Sequence, residues 1–226
     1  PRLAALIDRL ETPRSGAPEE ILALARRAAP GRAFTLAFLN AHALDLCARR
    51  PGAAAAFEGA DLLLRDGVAV AALLRLAGRA PGPDVNGTDL IPALAAGRRV
   101  ALYGGAPGVA EAAAAALSLR GARVVAARHG FHPPGAYAGW LARDAHPEGG
   151  AAELVILGFG MPRQEALAAR LRARAPGPTG FVCGGAVLDF LAGRVPRAPR
   201  PMRRAGLEWA WRLELEPGRL AERYVA

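Results

Sequence analysis

The chain has 226 residues, a hydrophobic fraction of 52%, and 29 Arg and Lys against 20 Asp and Glu, a formal net charge of +9. Every basic residue is Arg, so this charge persists at any physiological pH. No stretch reaches the roughly 18–20 uninterrupted apolar residues of a membrane span, and the length suits one α/β domain with a sizeable core. The excess of Arg favours an anionic partner: a phosphate, a nucleic acid or a membrane surface.

The two cysteines and the N-terminal residues bear on the compartment. Cys47 and Cys183 lie in apolar surroundings without CxxC spacing, so we expect reduced packing residues. The charged start of the chain, with Arg2, Asp8 and Arg9, is unlike a secretory signal peptide. We therefore expect a cytoplasmic protein that does not cross a membrane alone.

The first half of the chain predicts two amphipathic helices and then strands that alternate with helices. The predicted elements are, in chain order, helices over 1–12 and 18–29, a strand over 33–39, a helix over 40–50, a short helix after a Pro51-Gly52 turn, a strand over 61–65, and helices over 68–76 and 89–96.

The second half repeats the alternation more clearly. The predicted elements are a strand over 99–103, a helix over 109–119, a strand over 122–127, a helix over 137–144, a strand over 154–157, a helix from 161 to about 174, and a strand over 180–183. This order predicts a Rossmann-like α/β fold, a mostly parallel sheet with helices on both faces, over residues 1–194. Residues 195–226 differ in character, being rich in Arg and Pro with Trp209, Trp211 and Tyr224.

Polar side chains recur where predicted strands end or the next helices begin. They are Asn40, Asp66, His129, Gln164 and Asp189. Ligands of open parallel sheets bind beyond the carboxyl ends of the strands. The convergence therefore predicts a site at that edge.

Residues 153–165, ELVILGFGMPRQE, combine a buried strand, a glycine turn and a helix start. Free N–H groups and the positive end of the helix dipole favour an anion such as phosphate at such a turn. A purely structural strand-to-helix turn is the alternative from this pattern alone.

Asp66 has two interpretations from the sequence. It could cap the following helix by accepting from free N–H groups, or it could act as a general base at a strand end. His42 and Asp45 share a helix face, but no further ligand is arranged near them, so we expect no metal site. No Asp-x-Asp pair follows a strand, so a metal-bound sugar nucleotide is not indicated.

The glycine turn at 104–108 leaves a different class of function open. It resembles a dinucleotide-binding turn only loosely, because the G-x-G-x-x-G spacing is absent. The next strand ends in Arg128, which would suit a 2′-phosphate. An NADP-binding oxidoreductase and a non-enzymatic anion- or nucleic-acid-binding module therefore remain alternatives.

Taken in order, several short motifs resemble the WecG/TagA/CpsF family of glycosyltransferases (glycosyltransferase family 26). The matching stretches are LNAH at 39–42, AD at 60–61 with DG at 66–67, VNGTDL at 85–90, YGG at 103–105, HGF at 129–131, GFGMPRQE at 158–165, GG at 184–185, DFLAG at 189–193, RAP at 197–199, GLEW at 206–209 and EP at 216–217. The resemblance covers about residues 33 to 225.

The resemblance implies transfer of a sugar from a UDP-sugar to a polyprenyl-diphosphate-linked sugar in bacterial exopolysaccharide or teichoic acid synthesis. The donor sugar would be of the N-acetylmannosamine type, its uronic acid or glucose. Transfer would proceed with inversion, without a required metal and without a cofactor, on a protein bound peripherally to the inner face of the cell membrane. Nucleic acid is not an expected partner, and a homo-oligomer is left open.

The resemblance also implies roles for individual residues. Asp66 would be the catalytic base, and residues 195–226 would form an appendage that closes the site and meets an anionic membrane surface. The expected substrate-binding residues are Asn40, Gln164, Gly104, Gly105, His129, Gly130, Phe131, Gly158, Gly160, Arg163, Gly184, Asp189 and Arg197.

Two positions depart from the family pattern. Phe38 stands where a Thr is frequent, two places before Asn40, and Asp84 stands where an Arg commonly precedes the VNGTDL run. Loss of that Arg predicts a different donor or weaker diphosphate binding. Arg65, Arg79 or an Arg of the C-terminal segment are the candidates to replace it.

Overall fold

The computed structural model describes residues 2–144 and 151–199 together with 201, 202, 208, 211 and 214. Arg200, Arg203, Arg204, Trp209 and Tyr224, which belong to the expected membrane-associating appendage, lie outside these residues. No helix in the described part of the chain is long and apolar enough to span a bilayer.

Helices and strands alternate along most of the chain. The elements are α1 Arg2–Asp8, β1 Leu10–Glu11, α2 Pro18–Ala28, β2 Phe34–Leu39, α3 Ala41–Arg49, α4 Pro51–Glu58, β3 Leu62–Arg65, α5 Val68–Leu76, α6 Gly87–Ala95, β4 Arg99–Gly104, α7 Val109–Ser118, β5 Arg123–Arg128, α8 Pro134–Asp144, β6 Leu154–Gly158, α9 Arg163–Arg172, β7 Gly180–Cys183 and α10 Val187–Leu191.

The seven strands form one parallel sheet in the order β1-β3-β2-β7-β6-β4-β5. The predicted Rossmann-like α/β fold is therefore confirmed. Because the sheet is parallel, all strands finish at one edge, which brings the residues after β2 to β7 together.

Each face of the sheet has its own hydrophobic core. Along β6, Leu154 and Ile156 belong to one cluster while Val155 and Leu157 belong to the other. Successive side chains of a strand point to opposite faces, so a strand with helices on both sides must be apolar at every position. This explains the continuous apolar runs seen in the sequence.

The N-terminal prediction was wrong in one respect. Instead of one helix over residues 1–12, α1 ends at Asp8 and the short edge strand β1 pairs with β3, placing Leu10 opposite Leu63. Leu10 is thereby buried, and this tertiary pairing overrides the local helical pattern. Likewise Pro51 begins α4 rather than only turning the chain, since proline fits the first turn of a helix.

Candidate active site

A cleft of about 780 Å³ opens at the carboxyl edge of the sheet. Ten of the residues expected from the sequence line it: Asn40, Asp66, Gly105, Gly130, Phe131, Gly158, Gly160, Arg163, Gly184 and Asp189. These residues lie at or after the ends of six strands, β2 to β7, so the common carboxyl edge of the parallel sheet brings them together. Four expected residues, Gly104, His129, Gln164 and Arg197, do not line the cleft.

Asn40 and Asp66 meet at the ends of β2 and β3. The backbone N–H of Asp66 donates to the Leu39 carbonyl (3.0 Å), which continues the pairing of the two strands. Asn40 caps α3, its Oδ1 accepting from the Ala43 N–H (3.0 Å), and this fixes its Nδ2 toward the Asp66 Oδ2 (3.4 Å). The asparagine thus orients the Asp66 carboxylate in the cleft.

Asp66 does not cap the helix that follows it. The cap of α5 is Gly67, with φ 86°, and no side chain accepts a capping hydrogen bond there. The half-buried Asp66 carboxyl has its pKa raised to about 6, first by burial and then by the negative charge of Asp84, while the hydrogen bond from Asn40 opposes the shift. Of the two sequence interpretations of Asp66, the helix cap is therefore excluded.

Asp84 is anchored to β3 rather than directed at a ligand. Its Oδ1 accepts from the guanidinium of Arg65 (2.9 Å) and from the Gly67 N–H (3.1 Å). Arg65 is buried and also donates to the carbonyls of Gly67, Pro81 and Gly82. These bonds hold the loop before α6 against the end of β3.

This anchoring removes two candidates for the missing family arginine. Arg65 is committed to the loop, and Arg79 donates to the carbonyls of Ile7 (2.6 Å) and Leu10 (3.0 Å) at the N-terminal edge strand. The other departure, Phe38, lines the cleft and lies against Gly87 at the start of α6. It gives this part of the cleft an apolar wall.

Three glycine turns pack together through their backbones on the other side of the cleft. Gly105 N–H donates to the Gly158 carbonyl (2.9 Å), and Gly130 N–H donates to the Gly105 carbonyl (2.7 Å). A Cβ on Gly104 would lie 2.4 Å from the Gly158 carbonyl oxygen, and its φ of 135° also favours glycine. Gly104 therefore acts by allowing close approach of β4 and β6, without lining the cleft itself.

Gln164 lies beneath the cleft and not in it. Its side chain is fully buried, its Oε1 accepts from the Gly185 N–H (2.9 Å) and its Nε2 donates to Glu165 Oε1 (2.8 Å). The expectation that Gln164 lines the pocket is therefore corrected: the amide holds the Gly184-Gly185 turn. As a result the Gly185 N–H is already used and is not offered to a ligand.

His129 does not line the cleft but packs against the residues of the β5–α8 loop that do. Its ring stacks on His132 at 4.0 Å between centroids, and its carbonyl accepts from the hydroxyl of buried Tyr137 (2.8 Å). That hydroxyl in turn accepts from the His132 N–H (3.3 Å). This packing presents His132 and the 75% exposed Phe131 to the cleft.

Two arginines supply positive charge to the cleft, Arg163 at the start of α9 and Arg194 after α10. Within the described part of the chain neither guanidinium has a hydrogen-bond or ion-pair partner, and both are exposed. They are therefore available to an anion in the cleft.

Arg197 is occupied elsewhere. It pairs with Asp89 at the start of α6 and with Glu208 (3.2 Å), and Asn86 Nδ2 also donates to Glu208 (3.4 Å). These carboxylates raise the Arg197 pKa against the opposing effect of burial. Arg197 thus connects the C-terminal segment to α6 and does not line the cleft.

Several cleft residues were not among the site residues expected from the sequence. They include Thr88, His132, Phe159, Phe190 and Arg194. Phe159 lies between the two glycines of a marked turn and His132 follows Gly130 by two residues, so the position of the turns could have indicated them. Arg194 carried no such signal, because it was one of five Arg spread over residues 194–204.

No group of three His, Cys, Asp or Glu side chains placed to hold a metal ion is found among the residues that the structure describes. His42 lines the cleft, whereas Asp45 pairs with Arg49 at the surface.

Comparison with family models agrees with the motifs. The model described as the glycosyl transferase WecG/TagA/CpsF family matches residues 7–226. This range extends the resemblance read from the sequence toward the N-terminus, across the end of α1 and all of α2. Because the match spans nearly the whole chain, the chain belongs to the WecG/TagA/CpsF family, a family of glycosyltransferases associated with cell-surface polysaccharide synthesis.

Proposed function

We propose that the protein transfers a sugar from a UDP-sugar to a hydroxyl of a polyprenyl-diphosphate-linked sugar, with inversion, without a required metal, and with Asp66 as the general base. The donor sugar is of the N-acetylmannosamine type, its uronic acid or glucose. The single observation that carries the proposal is the Asp66 carboxylate in the cleft, oriented by Asn40 and not used as a helix cap.

The proposed reaction requires one carboxylate to accept one proton. As the acceptor hydroxyl oxygen forms its bond to the anomeric carbon, its proton passes to Asp66 and the bond from that carbon to the UDP oxygen breaks. A single displacement of this kind inverts the anomeric configuration. A base works best when its pKa lies near the working pH, and burial has raised the pKa of Asp66 to about 6.

The leaving UDP gathers negative charge that the cleft must stabilise. Arg163 and Arg194 line the cleft without competing ion pairs in the described residues, and the start of α9 adds its dipole. The glycine turns at 105, 130 and 158 let a diphosphate approach the backbone closely.

The proposed acceptor requires the protein to work at a membrane surface. A polyprenyl diphosphate stays in the bilayer, so the enzyme must reach it from the cytoplasmic side. We assign the basic segment 195–226 to this contact and to closing the cleft. Of this segment the structure describes the link from Arg197 to Glu208 and a hydrogen bond from Trp211 Nε1 to the Pro196 carbonyl (3.3 Å).

A thermal-shift panel of UDP, UDP-sugars, NADPH and an oligonucleotide tests the proposal against its alternatives. A ligand that binds only the folded protein at one hundred times its Kd adds about 2.7 kcal/mol of stability. We expect UDP and a UDP-sugar to raise Tm while NADPH and the oligonucleotide do not. A shift with NADPH alone would favour an oxidoreductase, and a shift with the oligonucleotide alone would favour a nucleic-acid-binding module.

A further inference from the structure

Helix α5 has an unusual composition for a surface helix. Its sequence, VAVAALLRL, contains a single charged residue, Arg75. Only Val70, Ala71 and Leu74 are buried, and they pack into the protein. A helix that is apolar all round is ordinarily covered on all sides, so the outer side of α5 calls for a second apolar or amphipathic environment.

The uncovered side forms one continuous surface. Val68 is 48% exposed, Leu73 38% and Leu76 85%, with the exposed Ala69 and Ala72 between them. At about 100° per residue these positions fall on one side of the helix. We call these five residues the outer face of α5. Three of the six large hydrophobic side chains exposed in the described residues lie on this one helix.

The charge around this face suits an anionic surface. From Gly67 to Pro83 the chain contains no Asp or Glu, and its two charged residues are Arg75 and Arg79. Arg79 is held by the Ile7 and Leu10 carbonyls, whereas Arg75 is exposed beside the outer face. An exposed Arg next to leucines can keep its stem on the apolar surface and its guanidinium among phosphates.

The position of the helix links the face to the cleft. Val68 is two residues from Asp66, and Gly67 alone separates the cleft-lining carboxylate from α5. A flat surface that receives the outer face would therefore lie beside the mouth of the cleft, where a membrane-anchored acceptor has to enter.

We propose that the outer face of α5 docks on the surface of an anionic phospholipid bilayer, with Leu73 and Leu76 entering the headgroup region and Arg75 contacting lipid phosphates. The inference rests on the proposed function for its purpose, since a lipid-linked acceptor requires contact with a bilayer. It locates an apolar contact on the α/β domain itself, separate from the basic segment 195–226.

An environment-sensitive fluorophore reports docking directly. Cys47 and Cys183 are both buried, so a Leu76→Cys variant of the full chain can be labelled at that position. The matched control is Leu119→Cys, at a leucine that follows α7 and is 91% exposed. Nearby, the Gly121 carbonyl accepts from the Gly97 N–H ahead of β4. Leu119 therefore lies at the edge of the sheet opposite the cleft. We expect vesicles of phosphatidylglycerol and phosphatidylcholine to shift the emission of the label at 76 to the blue and to leave the label at 119 unchanged.

Each other outcome overturns the proposal. A label at 76 that is already blue-shifted without vesicles means that a second copy or the C-terminal segment covers the face. Equal shifts at 76 and 119 mean non-specific adsorption. No shift at 76 while the protein cosediments with vesicles means that another surface makes the contact.

Cosedimentation gives the energetic counterpart. The double variant Leu73→Ser/Leu76→Ser should partition onto anionic vesicles roughly tenfold more weakly than the wild type, while Leu119→Ser should match the wild type. Raising the salt concentration should weaken the binding of all three proteins, because the Arg contribution is screened. Unchanged partitioning of the double variant contradicts the proposal.

The two proposals fail in distinguishable ways. Vesicle binding is measured with lipid alone, whereas sugar transfer is measured on a short-chain, water-soluble acceptor. The double variant should keep full transfer on the soluble acceptor and lose it on the vesicle-borne one. If the wild type binds vesicles but transfers sugar to neither acceptor, the docking proposal stands and the proposed reaction is rejected.

Discussion

The Asp66 carboxyl is balanced between opposing influences. Burial and the nearby charge of Asp84 raise its pKa, and the hydrogen bond from Asn40 lowers it. The result, a pKa of about 6, leaves the group ionised and basic at neutral pH. Burial at the end of β3, adjusted by partners on two other loops, therefore gives Asp66 the properties of a base.

The pH dependence of transfer should report this carboxyl. We expect kcat/KM on a soluble acceptor to rise through about pH 6 and level off above it, because only the ionised form accepts the proton. Asp84→Asn should move this limb to lower pH, since the amide oxygen can still accept from Arg65 and Gly67 while the negative charge is gone. A limb that stays in place in Asp84→Asn would contradict the electrostatic account of Asp66.

Glu165 is the second carboxyl with a raised pKa, and it acts on stability. It is fully buried, Oε2 has no hydrogen-bond partner among the described residues, and burial raises its pKa to about 7 despite the bond from Gln164. The folded protein therefore holds this proton more tightly than the unfolded chain. The stability that the protonated group contributes is complete below about pH 4.5 and is lost as the pH rises through 7.

Glu165→Gln should remove this dependence while preserving the size of the side chain. The difference in free energy of unfolding between variant and wild type should grow in favour of the variant from pH 4.5 to 7, by at most about 3 kcal/mol, and then stay level. Urea unfolding across this range measures it, with the exposed Glu111→Gln as control. A difference independent of pH would show that Glu165 does not titrate there.

At the scale of the elements, the sequence predicted the strands and helices of the parallel sheet well. The continuous apolar runs and the glycine turns after them are local signals, and they placed β2 to β7 within a residue or two. The edge strand β1 was missed because its pairing with β3 is a long-range contact with no local trace. The same limit applies to Gln164, whose burial depends on the position of Gly185 on another loop.

The contact between β4 and β6 depends on a residue without a side chain. Gly104→Ala should destabilise the protein by about 2 kcal/mol or more, because the new Cβ meets the Gly158 backbone and φ is 135°. Gly139→Ala is the matched control: this exposed glycine lies within α8 with open space around it, and alanine should add about 0.5–1 kcal/mol. Chemical denaturation of both variants checks the pair, and equal effects would contradict the close packing of the two turns.

Across the whole molecule, the sheet brings the ends of six strands to one edge. The chain after α10 also lies at that edge. Arg197 and Glu208 link this part of the chain to the start of α6, close to residues that line the cleft. The division into a catalytic domain over 1–194 and an appendage over 195–226 stays a prediction. The proposed role of residues 195–226, closing the cleft and meeting the membrane, would connect donor binding to acceptor access.

The arginines of the cleft lead to a prediction about the metal requirement of the reaction. Arg163 and Arg194 line the cleft, and the proposed reaction uses them to stabilise the leaving UDP. We therefore expect EDTA to leave the rate of transfer unchanged. A strict requirement for added Mg²⁺ or Mn²⁺ would overturn the proposed stabilisation of the leaving UDP by arginine.

The most direct test of the account compares Asp66→Asn with Asp45→Asn, a surface carboxylate that pairs only with Arg49 in the described structure. Turnover of UDP-sugar on a soluble acceptor is measured together with UDP binding by calorimetry. We predict that Asp66→Asn loses about 10²–10⁴-fold in kcat and retains UDP binding, while Asp45→Asn matches the wild type. Turnover of Asp66→Asn within a few-fold of the wild type would contradict the role of Asp66 as the base.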